Sequence, residues 1–86
     1  MQIKVFSNSR IDQTETDLVK KWFNDNQITF VSIDLNKNPE YFDYVVNKLK
    51  FKDMPVIDIG GLISFNGYSK VLLDSNKKLM IKLTNQ

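Results

Sequence analysis

The sequence predicts a single α/β domain, a mixed four-stranded sheet flanked by helices in the order βαβαββα. Three observations carry that expectation. The chain opens with a strand–helix–strand pattern, and a crossover of that kind joins parallel strands. A Gly60-Gly61 pair lies between two apolar runs, which adds an antiparallel hairpin. Helix-start signals follow the first, second and fourth strands, so helices on both faces of one sheet are the economical packing. At 86 residues the chain has room for one core and one domain.

Ile3, Val5 and Ser7 alternate with Lys4 and Phe6, a period of two that reads as the first strand. Asn8-Ser9-Arg10 is a loop. Asp12 with Glu15, or Thr14 with Asp17, fits a capping box that starts the first helix. Leu18, Val19, Trp22 and Phe23 recur at helical spacing, and Asn24-Asp25-Asn26 closes the helix. A second strand is expected over residues 28–35. Asn38 and Pro39 suit the cap and first residue of a second helix, with Phe42, Val45, Val46 and Leu49 as its apolar stripe. Pro55 opens the apolar run Val56-Ile57-Asp58-Ile59, as proline does at the first residue of a strand. Leu62 to Phe65 returns after the glycine turn, Asn66-Gly67 turns again, and Ser69 caps a third helix through Leu73. The tail from Leu79 to Leu83 suits either a continued helix or a short strand.

Composition excludes several chemistries. The chain has no cysteine and no histidine, so disulfides, thiol chemistry, zinc fingers and Cys–His or Ser–His catalysis are all unavailable. A metal could be held by carboxylate and carbonyl oxygens alone, and no metal site is expected. Twelve Lys+Arg against ten Asp+Glu leave +2, too weak a balance to point to nucleic acid or a membrane surface. No stretch approaches the roughly 20 apolar residues of a membrane helix. The opening MQIKVFSNSR lacks a basic flank before an apolar run, so a secretory leader is not expected and a cytoplasmic protein is. Gly60-Gly61 precedes no helix and is not a phosphate loop.

The order and spacing of several short motifs resemble the glutaredoxins, and most of all the short glutaredoxin-like electron donors of ribonucleotide reductase. Val5-Phe6-Ser7 resembles the end of that family's first strand. Lys20 to Phe23 and Ile28-Thr29-Phe30 resemble its first helix end and second strand start. Ile33-Asp34 with Asn38-Pro39-Glu40, Met54-Pro55-Val56-Ile57, and Phe65-Asn66-Gly67-Tyr68 resemble its later signatures. The resemblance covers about residues 1–74 and implies a thioredoxin-like fold there, with residues 75–86 as a C-terminal extension. It also implies a cis bond before Pro55.

The departure from the family is at its redox motif. Ile11 and Thr14 stand where the family has the two cysteines of Cys-x-x-Cys. No thiolate, mixed disulfide or dithiol couple is then possible at that place, so no catalytic residue is expected. The resemblance implies a ligand groove formed by Arg10, Ile11, Thr14, Met54, Pro55, Gly67 and Tyr68. In the family, the residue before the cis-proline offers its main chain to an extended peptide or to glutathione. Arg10, Lys52 and Gly67 could contact glutathione, but its usual covalent partner is absent and no cofactor is expected. The expectation is a redox-inactive glutaredoxin-like module that binds a protein or peptide. The alternatives are a thiol–disulfide or glutathione-related protein and an assembly component acting through residues 75–86. Capping is the simpler role for Asp12, Glu15 and Asp17.

Overall fold

Alternation along each strand decides which layer a side chain joins. The computed structural model describes residues 2–84, so the final two residues of the expected extension lie outside the described residues. The elements are β1 (Ile3–Ser7), α1 (Thr14–Asp25), β2 (Val31–Asp34), an irregular helical segment, β3 (Val56–Ile59), β4 (Ile63–Asn66), α2 (Lys70–Ser75) and α3 (Lys77–Thr84). They form one four-stranded sheet in the order β2-β1-β3-β4. β1 runs parallel to β2 and antiparallel to β3, and β3 runs antiparallel to β4. This is the thioredoxin-like topology and the mixed sheet expected from the sequence.

Two apolar clusters sit on the two faces. Ile3, Val5, Ile57, Ile59 and Phe65 meet Val19, Trp22 and Phe23 of α1, Leu73 of α2 and Met80 of α3. Phe6, Ile33, Val56 and Met54 meet Val45, with Tyr41 and Tyr44 packed against them. The glycine turn forms as expected. Gly60 and Gly61 both take positive φ, at 59° and 76°, and Leu62 N–H donates to Ile59 C=O at 3.0 Å. Asp58, buried in β3, accepts from Gly61 N–H at 3.0 Å and from the Tyr44 hydroxyl at 2.7 Å. That pairing lets a carboxylate sit inside an apolar strand.

The chain leaves α1 through a Schellman motif. Ile28 N–H reaches Phe23 C=O at 3.0 Å and Gln27 N–H reaches Asn24 C=O at 3.2 Å. Gln27 supplies the left-handed residue, φ 56°. Ile28 is therefore buried against the core before the strand begins, and β2 is shorter than the expected 28–35. Leu18 also departs from expectation. It shares the helical spacing of the core residues yet stays 42% exposed, on the rim of the groove between α1 and α2.

The second helix is irregular. Pro39–Tyr41 is a 3₁₀ turn and Tyr44–Lys48 a π turn, with Leu49 N–H bonded to Tyr44 C=O at 2.9 Å. Lys50, at φ 64°, ends it. These tighter and wider turns rotate the face away from 3.6-residue spacing. Phe42 is left half exposed, while Tyr41 and Tyr44 pack against Phe6 with ring centroids 5.7 and 6.0 Å away. Ser69 caps α2 as expected, its Oγ accepting from Leu72 N–H at 3.2 Å. The segment after Asn76 folds as α3, with Met80 fully buried.

Candidate functional site

The loop between β1 and α1 is held in place by short polar contacts. Asp34, at the end of β2, accepts from Ser9 N–H at 3.1 Å and Asn36 N–H at 3.0 Å. Hydrogen bonding to Ser9 holds its carboxyl below the usual value of 3.8. Gln13 Nε2 donates to the carbonyls of Asn8 and Ile11, both at 2.6 Å. With the loop backbone so occupied, the Ile11 side chain stands 46% exposed.

Asp12, not the residue at the N-cap, serves the start of α1. Its Oδ1 accepts from the Thr14 hydroxyl at 2.7 Å and from Thr14 N–H at 2.9 Å. The Thr14 hydroxyl, followed by the backbone bond, keeps the Asp12 carboxyl below its ordinary range. The expected capping box does not close. Gln13 occupies the cap position with its side chain turned back to the loop rather than to the helix N–H groups, and Glu15 turns across the molecule instead. Its Oε1 accepts from Tyr68 N–H at 3.3 Å, where the β4–α2 turn comes near.

That turn needs glycine. Gly67 has φ 76°, and its N–H donates to Pro55 C=O at 2.8 Å. The Met54–Pro55 bond is cis. Among the described residues, neither the N–H nor the C=O of Met54 takes part in a hydrogen bond. An open cleft of about 460 Å³ lies between these parts, lined by Ile11, Asp12, Glu15, Asp53, Met54, Asn66 and Gly67.

Of the residues expected in the groove, Ile11, Met54 and Gly67 share this cleft. Arg10 is exposed on the neighbouring loop, and its N–H caps back to Asn8 Oδ1 at 3.0 Å. The Thr14 hydroxyl is turned to Asp12. Pro55 is buried behind Met54. Tyr68 lines a second groove between α1 and α2, with Leu18, Lys21, Trp22, Lys70 and Asp74. There Trp22 Nε1 donates to Asp74 Oδ1 at 3.0 Å and ties the two helices together.

Sequence reasoning read Asp12 and Glu15 as caps and passed over Asp53 and Asn66 as site residues. All four are on the cleft wall. The available signal was that Asp12, Asp53 and Asn66 adjoin Ile11, Met54 and Gly67 in the chain, and that Glu15 lies four residues after Ile11. Three carboxylates and two apolar side chains give the cleft a negative rim around an apolar patch. Among the described residues no group of three or more potential ligands could hold a metal ion. The chain offers no thiol and no imidazole. This is a redox-inactive protein of thioredoxin-like fold. The chain matches no protein-family model, no curated protein and no solved structure.

Proposed function

We propose that this protein is a glutaredoxin-like binding module that holds an extended segment of a protein partner between Ile11 and Met54. One observation carries the reading: among the described residues the main chain of Met54 is unpaired at the cleft wall, beside a Pro55 carbonyl that accepts from Gly67 N–H. A strand-like peptide recognises such a group by pairing with it and by placing alternate side chains in adjacent hollows. Ile11 and the Met54 side chain supply apolar contact, and the positions of the family's cysteines carry no reactive atom. The glutaredoxin resemblance supports the choice of this cleft over the α1–α2 groove. A cytoplasmic location, expected from the opening MQIKVFSNSR, is compatible with the cysteine-free composition. No helix among the described residues is long and apolar enough to cross a membrane.

The test is a two-dimensional NMR titration with blocked, valine-rich hexapeptides. The amides of Ile11, Met54 and Gly67 are expected to shift together. Ile11→Arg should weaken the effect by about tenfold or more, since it replaces the exposed apolar wall of the cleft with a charge and leaves the core untouched. Shifts confined to the Tyr68 groove, or undiminished in Ile11→Arg, would reject this cleft.

A further inference from the structure

Asn66 is followed by Gly67, and both line the cleft. Asparagine is a thermolabile residue, and a following glycine leaves the next peptide nitrogen unshielded by any side chain. The chemistry needs no oxidant or reductant. The Gly67 nitrogen loses its proton and attacks Asn66 Cγ. The N–Cγ bond forms, the Cγ–Nδ2 bond breaks, and ammonia leaves. Solvent water then opens the cyclic imide at either carbonyl, giving aspartate or isoaspartate.

Two features of the fold oppose that step. The Gly67 N–H is committed to Pro55 C=O at 2.8 Å, so the attacking nitrogen keeps its proton. Asn66 is the last residue of β4 and pairs with Val56. Extended backbone turns the next nitrogen out of the plane that the five-membered ring requires. The side chain itself is exposed, held only by a long 3.5 Å contact from Nδ2 to Asp53 C=O.

We propose that Asn66 is a deamidation site gated by the Gly67–Pro55 hydrogen bond. Opening of the β4–α2 junction frees the nitrogen, and the reaction records that opening as a permanent negative charge. The product carboxylate would stand with Asp12, Glu15 and Asp53 and could no longer donate to the Asp53 carbonyl. Isoaspartate would add a backbone carbon where Gly67 and Tyr68 N–H meet Pro55 and Glu15. The inference does not depend on peptide binding.

The test ages the full chain in mildly alkaline buffer, folded and in denaturing urea, and follows each asparagine by peptide-map mass spectrometry. Hydrogen exchange of the Gly67 amide is measured alongside, over a series of sub-denaturing urea concentrations. Asn66 is expected to convert fastest in the unfolded chain and at least about tenfold more slowly in the folded one. Its folded-state rate should rise in proportion to Gly67 exchange. Equal rates in the folded and unfolded chains would overturn the gate. Unfolded-chain conversion no faster at Asn66 than at Asn8 or Asn76 would overturn the site. A folded-state rate independent of Gly67 exchange would remove that hydrogen bond from the account.

Discussion

Thr16 is the residue whose chemistry fits its surroundings least. It is 1% exposed on the inner face of α1, and among the described residues its Oγ1 has no hydrogen-bond partner. A buried hydroxyl without a partner costs free energy that an isosteric methyl does not. Thr16→Val is expected to stabilise the fold by about 1 kcal/mol, read from chemical denaturation. Tyr44 is the opposite case. Its hydrogen bond to Asp58, with added effects of burial and charge, pushes the phenol up to about 12 from 10.0. The folded state thus favours the neutral phenol. Its contribution is complete below pH 10.0 and is lost as pH rises toward 12. Tyr44→Phe should cost about 1–3 kcal/mol at neutral pH, because Asp58 loses a donor inside the fold. The variant should also show a flatter alkaline stability profile. An unchanged alkaline profile would mean that another group governs it. Asp58 itself was legible only as one more residue in a strand, since nothing local announces a tyrosine from fourteen positions earlier.

Among the elements, those with strong local signals were readable. The alternation of Ile3 and Val5, the glycine pair and the Ser69 cap each state their own conformation through short-range sterics and hydrogen bonding. The irregular helical segment was not readable. Its apolar residues fit a regular helix, but packing of Tyr41 and Tyr44 on Phe6 prevails over propensity. The end of α1 was readable in place but not in manner. Gln27 adopts a left-handed conformation that costs a residue with a Cβ about 1 kcal/mol relative to glycine. Gln27→Gly is therefore expected to raise stability by about that amount and leave the Schellman bonds intact. A loss of stability in thermal melts would contradict the strain account.

For the whole molecule, the absence of any thiol sets the limits of its chemistry. Purified protein with glutathione is expected to reduce a small disulfide no faster than a protein-free blank. Turnover above the blank would require a chemistry this chain does not display. The topology could be inferred from the order of elements, because few arrangements satisfy a parallel crossover and a hairpin together. The cleft could be inferred only in part. Ile11 and Met54 are separated by more than forty positions, and the resemblance paired them. Asp53 and Asn66 reach the same wall through the β3–β4 hairpin, whose glycine turn was legible but whose register was not.

Met80 fills a space under Trp22, Phe23 and Leu73 from a helix that begins at Lys77. The four strands are complete by Asn66, and a chain that stopped at Asp74 would lack that plug. Without it the greasy underside of α1 is open to water. The strands complete the sheet, but the core beneath α1 seals only when α3 swings home.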